Sequence, residues 1–285
     1  MNLCDINDVK ALLSRHGFRF SKSMGQNFLV EGWVPRDIAV SSGAGPGSGV
    51  LEIGPGIGPL TVELAQRAGK VTAIELDRAL LPILEETLSG HSNVTVIPGD
   101  VMKLDLKALI DEQFPGLTPI VCANLPYNIT TPVLTLLLES RLFNSITVMI
   151  QQEVAQRICA APGSGDYGAF SILCQYHART ELLFEVPREC FLPAPRVTSA
   201  VVRLTPQPIP ECVHDQALFF QTVRGAFGQR RKTLLNALSS VFPLSKDQLR
   251  ACIETAGLPP SIRGERLSIP EFARLSDEIG IIKQN

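Results

Sequence analysis

The stretch LEIGPGIGPLT, Leu51–Thr61, joins the end of an apolar strand to the start of a helix through three alternating glycines. Glycine tolerates positive φ and lets a ligand lie against the backbone, so Gly54, Gly56 and Gly58 suit a binding turn. We therefore expect the central sheet of the protein to begin here, with a ligand beside the turn.

Two carboxylates follow at the ends of the next two strand-like runs. Glu75 lies 21 residues after Gly54, where a carboxylate can accept hydrogen bonds from both hydroxyls of a ribose. The next run ends in Pro98–Asp100, and the Asp100 carboxylate can accept a hydrogen bond from an adenine amino group. Together they predict a site for a nucleoside-containing cofactor; a plain strand-to-helix corner is the alternative.

The spacing of the glycines bears on which cofactor binds. The dinucleotide fingerprint is G-x-G-x-x-G, with helix amides arranged for a pyrophosphate, whereas this turn is G-x-G-x-G with Pro55 inside it. S-adenosylmethionine carries no phosphate, only an amino-acid head and a sulfonium. The turn favours S-adenosylmethionine over a nicotinamide cofactor, although a nicotinamide dehydrogenase stays a distant alternative.

Short β-branched runs alternate with helical patterns from Val50 onward, which predicts an α/β fold with a buried, doubly wound parallel sheet. The predicted strands are Val50–Ile53, Val71–Glu75, Val94–Ile97, Ile120–Ala123 and Ile146–Ile150, with a possible edge strand at Ser199–Leu204. The predicted helices between them are Leu60–Ala68, Arg78–Leu88, Lys107–Gln113 and Pro132–Glu139, with another after Gln151. The glycine-rich stretch Gly43–Gly49 is typical of a flexible loop.

The proline-rich stretch TPQPIP, Thr205–Pro210, predicts a linker. After it, apolar residues at three- and four-residue spacing predict helices at Asp215–Phe227 and Arg230–Leu238. We therefore expect two domains, an α/β domain over residues 1–207 and a small all-α domain over residues 208–285.

The composition sets limits on function. With 45% hydrophobic and 19% charged residues and a net charge of −2, the chain is a globular protein and not a wholly basic nucleic-acid binder. Residues 201–285 nevertheless hold 11 Lys and Arg against 8 Asp and Glu, so a polyanion should meet this part first. Seven scattered cysteines, without C-x-x-C spacing, predict free thiols in a reducing cytosol and no metal site. No secretory signal or membrane-spanning run is expected.

The motif NLPYNITT, Asn124–Thr131, follows the fourth predicted strand, at the edge of an open sheet where ligands bind. The Asn124 side-chain oxygen and the Leu125 carbonyl could accept hydrogen bonds from the exocyclic amine of a nucleobase and favour its nucleophilic, pyramidal form. Pro126 would hold the turn, and Tyr127 would offer a face for stacking the base. Alternatively, Asn124 caps the following helix and Tyr127 packs in the core.

These motifs together resemble one family, the S-adenosylmethionine-dependent rRNA adenine N6-dimethyltransferases, and most closely its members that act on the small subunit. The resemblance covers most of the chain and rests on these blocks, in the family's order: Gly25–Leu29 (GQNFL), Leu51–Thr61, Ile74–Asp77 (IELD), Gly99–Asp100, Asn124–Thr131, Phe191–Leu204 (FLPAPRVTSAVVRL) and Gln229–Leu238 (QRRKTLLNAL). Two positions depart from the family pattern. Thr130 replaces the usual serine, and Thr198 replaces an acidic residue that is common there.

The resemblance implies a Rossmann-like catalytic domain, a helical domain that assists rRNA binding, and a set of site residues. The implied S-adenosylmethionine contacts are Asn27, Leu29, Gly54, Gly56, Glu75, Asp100, Val101 and Asn124, and the target adenine would be handled by Asn124, Leu125, Pro126 and Tyr127. Phe191 could stack on a flipped base or simply pack in the core. Four basic residues could contact RNA phosphates or form a solvated helix face: Arg224, Arg230, Arg231 and Lys232.

The implied function is dimethylation of two adjacent adenines in the hairpin loop near the 3′ end of 16S rRNA, within the small ribosomal subunit or its precursor, by a cytoplasmic monomer. A large-subunit rRNA methyltransferase of the macrolide-resistance type is the alternative within the same chemistry. A ribosome-assembly factor that acts mainly by binding immature small subunits is the alternative from another class.

Overall fold

The computed structural model describes residues 1–20 and 26–284, which form two compact units. Its strands are β1 Phe28–Leu29, β2 Ser48–Ile53, β3 Lys70–Glu75, β4 Val94–Pro98, β5 Thr118–Asn124, β6 Ile146–Gln151, β7 Ala178–Val186, β8 Phe191–Leu192 and β9 Ser199–Pro206. Its helices are α1 Ile6–Arg15, α2 Trp33–Ser41, α3 Pro59–Ala65, α4 Leu81–Thr87, α5 Leu106–Gln113, α6 Thr130–Ser140, α7 Gln152–Cys159, α8 Ala169–His177, α9 Gln216–Gly228, α10 Leu234–Leu238, α11 Lys246–Thr255 and α12 Ile269–Gln284.

The first unit, Met1–Ala155 with Ala178–Pro206, contains the sheet. Among the described residues the sheet has seven strands in the order β4-β3-β2-β5-β6-β9-β7; β4 to β6 run parallel, and β9 is antiparallel to both of its neighbours. The parallel strands carry Val and Ile on both faces because helices cover both faces. This confirms the predicted α/β fold and brings the carboxyl ends of β2, β3, β4 and β5 to one edge.

Two expectations about the sheet need correction. Ser199–Leu204 is not an edge strand, because β7 pairs along its outer side. The Gly43–Gly49 stretch is not wholly a loop, since Ser48 and Gly49 begin β2. A Cβ atom at Gly49 would lie 2.3 Å from the Phe114 ring, so close packing requires glycine at this position.

The second unit, Gln156–His177 with Gln207–Asn285, is helical. Its core includes the buried side chains of Tyr167, Tyr176, Phe219 and Phe272, and the Tyr167 hydroxyl donates to the Leu267 carbonyl at 2.9 Å. Residues 156–177 therefore pack in the second unit, which differs from the predicted boundary that placed them within residues 1–207.

The predicted helix at Arg230–Leu238 begins four residues later, at Leu234. Residues 229–232 form a turn after α9, and Thr233 has extended backbone angles, so the chain leaves the helical conformation between α9 and α10. In contrast, α9 begins where its sequence predicts: the Asp215 side chain accepts a hydrogen bond from the Leu218 N–H at 2.9 Å and caps the helix.

Candidate active site

A cleft that is partly open to solvent lies at the carboxyl edge of the sheet in the first unit. It contains every predicted cofactor and base-handling residue: Asn27, Leu29, Gly54, Gly56, Glu75, Asp100, Val101, Asn124, Leu125, Pro126, Tyr127 and Phe191. The cleft also contains Gln26, Glu52 and Asp77, which the sequence analysis did not assign to the site. Residues from six separate stretches of sequence thus share one binding space.

The glycine turn at the end of β2 has left-handed backbone geometry. Gly56 has a φ of +63°, and a Cβ atom there would lie 3.3 Å from the Phe28 ring. Gly58, with a φ of +95°, precedes Pro59 at the start of α3. Side chains at these positions would strain the backbone or narrow the cleft, so the turn keeps backbone surface available to a ligand.

Glu75 lies at the end of β3, where the sequence places a ribose acceptor. Its side chain is only 6% exposed, and its Oε1 accepts a hydrogen bond from the Asp77 N–H at 2.7 Å. Burial raises its pKa to about 7, although backbone hydrogen bonds act in the opposite direction. Hydroxyl donors of a ligand would therefore stabilise the Glu75 carboxylate, because they replace the hydrogen bonds to water that burial removes.

Asp100 lies at the next strand end, and its two oxygens have different surroundings. Its Oδ1 accepts from the Met102 N–H at 3.0 Å and so caps the short 3₁₀ turn Val101–Lys103, while Oδ2 lies 3.8 Å from the Lys103 ammonium. Val101 is 3% exposed and contributes an apolar wall. This arrangement holds Asp100 at the cleft with one oxygen still available for an amino group.

Glu52 is a cleft residue that sequence reasoning missed. It is 1% exposed, and its Oε2 has no hydrogen-bond partner among the described residues. Burial raises its pKa to about 8; the nearby Thr61 hydroxyl acts in the opposite direction, and the neighbouring Glu75 charge adds to the rise. An acidic residue inside the apolar run VLEI is unusual, and that was the signal that could have found it.

We expect Glu52→Gln to stabilise the protein at high pH. The folded pKa of about 8 exceeds the ordinary 4.5, so the wild type takes up a proton on folding and loses stability as pH rises from about 4.5 to 8. Glutamine does not titrate. The free energy of unfolding from urea denaturation should rise by on the order of 2–4 kcal/mol at pH 8.5 and change little at pH 5. The control is Glu139→Gln, at an exposed glutamate of α6; a gain that is the same at both pH values would contradict this account.

The turn after β5 presents polar groups to the cleft. Asn124 is half-buried and does not cap α6, whose N-cap residue is Ile129, so the capping alternative is wrong. The Leu125 N–H donates to the Met149 carbonyl of β6 at 3.1 Å, which fixes the turn to the sheet. The Pro126 carbonyl accepts from the Ile129 N–H at 3.1 Å and the Thr130 hydroxyl at 3.2 Å. Among the described residues, these bonds do not involve the Leu125 carbonyl, which can therefore accept a hydrogen bond from a ligand.

Thr130 and Thr198, the two departures from the family pattern, both have defined roles in the local structure. The Thr130 hydroxyl makes the bond to Pro126 that a serine could also make. The Thr198 carbonyl accepts a hydrogen bond from the Gln152 N–H at 3.0 Å, so this backbone position is fixed without an acidic side chain.

The aromatic residues differ in their exposure to the cleft. Tyr127 is half-buried, and its hydroxyl lies 2.7 Å from the Ser199 hydroxyl. Phe191 is 4% exposed and packs in the core, with its β8 backbone paired to Leu29 of β1. Because Phe191 also lines the cleft, its stacking on a base stays a prediction alongside its evident packing role.

Two residues before β1, Gln26 and Asn27, line the cleft. The Gln26 side chain donates to Asp77 Oδ2 at 2.7 Å, which joins this segment to the strand end that carries Glu75. Asn27 is half-buried beside it. Gly25, the first residue of the GQNFL block, lies outside the described residues. Gln26 was missed because its partner is 51 residues away.

The predicted RNA-contacting residues lie in the second unit and are all exposed. Arg230 donates to the backbone carbonyls of Gly165 and Tyr167, the latter at 2.9 Å, so part of its guanidinium holds a loop of its own unit. Arg224, Arg231 and Lys232 have no ion-pair partner among the described residues. Their contact with RNA stays a prediction.

A Rossmann-like sheet that gathers a glycine turn, a ribose-type carboxylate and an amide-bearing Asn-Leu-Pro-Tyr turn in one cleft defines a methyltransferase of nucleobase amino groups. A family model described as ribosomal RNA adenine dimethylase matches residues 17–279. The chain belongs to this family.

Individual relatives agree with this assignment. Proteins named ribosomal RNA small subunit methyltransferase A from Geobacillus thermodenitrificans and Bacillus mycoides are 47% and 48% identical to this chain; the alignments cover 95% and 96% of it, and 94% and 96% of those proteins. A dimethyladenosine transferase structure from Plasmodium falciparum has a TM-score of 0.72 at 25% identity, covering 87% of this chain and 96% of that one. The 23S rRNA methyltransferase ErmE has a TM-score of 0.66 at 27% identity, covering 89% and 100%.

The cofactor of this family is S-adenosylmethionine, and the cleft fits it. Gly54 and Gly56 carry no side chain, so a ligand in the cleft can lie against the backbone of this turn. Glu75 and Asp100 lie at the ends of the adjacent strands β3 and β4 and offer hydrogen-bond acceptors there. The buried Glu52 carboxyl has one oxygen without a hydrogen-bond partner among the described residues, and it can bond to a polar group of the ligand. Family membership also excludes the nicotinamide dehydrogenase alternative.

Proposed function

We propose that this chain dimethylates N6 of two adjacent adenines in the hairpin loop near the 3′ end of 16S rRNA, in the small ribosomal subunit or its precursor. The observation that carries the proposal is the Asn124–Tyr127 turn opening into the same cleft as the glycine turn and Glu75. The relatives named as small-subunit methyltransferases support the choice of substrate.

Asn124 and Leu125 would act on the amine of the target adenine. The lone pair of that amine is delocalised into the ring, and two acceptors aimed at its N–H bonds favour the pyramidal nitrogen, whose lone pair is free to react. Bound S-adenosylmethionine supplies an electrophilic methyl group on a sulfonium. The Tyr127 ring would hold the base by stacking, and Pro126 sets the turn that aims the Leu125 carbonyl.

Tyr127 is unsuited to act as a base in this reaction. Burial raises the pKa of its phenol, and its hydroxyl is already bonded to Ser199. No strong base is needed, because the methylated ammonium is acidic and can release its proton to water. Asn124, Leu125 and Tyr127 therefore contribute mainly by positioning and hydrogen bonding.

The binding residues for S-adenosylmethionine would be those gathered at four strand ends and in the segment that includes β1. Glu75 would accept the ribose hydroxyls, and Asp100 the adenine amino group, beside the Val101 side chain. The remaining contacts would come from Asn27, Leu29, Gly54, Gly56 and Asn124.

Methyl transfer to purified ribosomal subunits tests the proposal. Unmethylated 30S and 50S subunits would each be incubated with the protein and methyl-labelled S-adenosylmethionine, followed by nucleoside mass spectrometry and mapping of the modified sites. We expect dimethyladenosine only in the small subunit. Methylation confined to the large subunit would instead establish the macrolide-resistance type, which the lower identity to ErmE disfavours.

The second unit would contribute phosphate contacts. We expect Arg231→Ala combined with Lys232→Ala to weaken binding to small subunits and to lower the slope of log affinity against log salt by about 1–2, because each phosphate contact releases counterions. Filter binding over a salt series measures this slope. Lys246→Ala, at an exposed lysine of the same unit, is the control; an unchanged slope in the double variant would remove these residues from the interface.

We further propose that the protein works as a cytoplasmic monomer. None of the helices in residues 1–20 and 26–284 is long and apolar enough to cross a membrane. Sedimentation of the purified chain, alone and with small subunits, would reveal any self-association. A binding-only role in ribosome assembly has no specific observation in its favour.

A further inference from the structure

The hydroxyl of Tyr127 is bonded to a buried side chain from a distant strand. The Ser199 hydroxyl lies 2.7 Å from it, 72 residues away in sequence, and Ser199 is fully buried. We infer that Ser199 is a positioning residue, which fixes the Tyr127 ring so that its face stays open to an incoming adenine. This inference rests on the proposed function, since it assigns the means by which the same site holds its base.

Ser199 is itself rigidly placed. It is the first residue of β9 and pairs with Gln151 of β6 on one side and with Val186 of β7 on the other. The preceding residue, Thr198, is held by the Gln152 N–H. A hydroxyl held in place by two strand ladders can orient the Tyr127 side chain, because its own position is fixed by the sheet.

Tyr127, in contrast, lies in a turn whose backbone bonds hold only its two ends. Leu125 is bonded to β6 and Ile129 to Pro126, and no aromatic ring contact to Tyr127 is found in the described part of the chain. The bond to Ser199 is therefore the specific contact that fixes the direction of the Tyr127 hydroxyl. Ordering the ring before the base arrives removes an entropy cost from binding.

The hydroxyl bond leaves the ring face free for stacking. A tyrosine bonded through its edge can stack a base on its face, because the two contacts use perpendicular directions of the ring. This explains why tyrosine, and not only an aromatic ring of any kind, serves at this position. Because the Tyr127 hydroxyl is already bonded to Ser199, the side chain has no other polar group to offer to the substrate.

A double-mutant cycle tests the inference with Ser199→Ala, Tyr127→Phe and the combined variant. Each single change should lower kcat/KM for small-subunit rRNA about tenfold, mainly through a higher KM, with the Kd for S-adenosylmethionine unchanged. The combined variant should lose no more than either single variant, because both remove the same bond. Multiplied losses, or a wild-type kcat/KM in Ser199→Ala, would overturn the inference.

Two further measurements distinguish a failure of the inference about Ser199 from a failure of the proposed function and from general destabilisation. Ring-labelled tyrosine NMR reports only three residues, Tyr127, Tyr167 and Tyr176, and Tyr127→Phe identifies the signal. Ser199→Ala should broaden or shift that signal, and this readout does not depend on methylation of rRNA. A wild-type protein that fails to methylate rRNA would therefore refute the proposed function but not the inference about Ser199. Ser48→Ala, at another buried first residue of a strand, controls for general destabilisation together with Tm.

Discussion

Replacing Asn124 with alanine is expected to lower the rate of methyl transfer to small-subunit rRNA by about 10²–10³-fold, the effect of losing one well-placed polar group at a reacting centre. Asn124 is half-buried at the end of β5 and does not cap the following helix, so its amide is available to the substrate amine. The rate should be measured in a single turnover, with enzyme in excess over subunits, so that release of the product does not mask the chemical step.

The control for Asn124→Ala is Asn144→Ala, at an exposed asparagine of the same unit that does not line the cleft. Both variants should unfold at the temperature of the wild type within a few degrees. Because Asn124 is also a proposed cofactor contact, the Kd for S-adenosylmethionine is measured in parallel. A rate loss that saturating cofactor restores would show that Asn124 binds the cofactor and does not act on the amine.

Replacing Glu75 with alanine should weaken S-adenosylmethionine binding by about 10²–10³-fold, because two hydrogen bonds to a charged acceptor are lost, each on the order of 1.5–3 kcal/mol before compensation by water. Isothermal titration calorimetry measures the Kd directly. Glu139→Ala, at an exposed glutamate of α6, is the matched control and should bind as the wild type does.

The pH dependence of binding provides a second test of Glu75. Its pKa of about 7 in the cofactor-free protein means that lowering the pH from 8 to 6 protonates it, and a protonated carboxyl is a poorer acceptor for two hydroxyls. Affinity should therefore fall as the pH drops below about 7, and binding near pH 7 should release a proton. In Glu75→Ala this part of the pH dependence should disappear; if it persists, another group causes it.

Most of the central sheet was predictable because its strands are continuous apolar runs between turn signals. β2 to β6 lie within about two residues of their predicted bounds. β7 was missed because ARTELLFEV mixes charged and apolar residues along a strand that pairs on only one side. The helical segment 156–177 was assigned to the wrong unit because nothing local records that Tyr167 and Tyr176 pack against residues beyond Gln207.

Residues of the candidate site could be predicted where they belong to a short sequence motif, and not where they depend on partners far away in the sequence. The glycine turn, Glu75, Asp100 and the Asn124–Tyr127 turn each lie at or directly after the end of a strand, and parallel topology brings these strand ends together. Gln26 and Ser199 are bonded to side chains 51 and 72 residues away, which no short motif reports. Glu52 differs, because an acidic residue within a buried strand is visible in the sequence and was overlooked.

The path of the chain between the two units limits how the protein can be divided into fragments that fold on their own. It enters the second unit after Ala155, returns to the sheet at Ala178 and leaves again after Pro206. A chain cut at the proline-rich linker would keep residues 156–177 but lose their packing partners, so Tyr167, Ile172 and Tyr176 would be left as an apolar, aggregation-prone surface. An autonomous catalytic fragment would therefore need residues 156–177 replaced by a short polar loop between Ala155 and Ala178, in addition to truncation at Pro206.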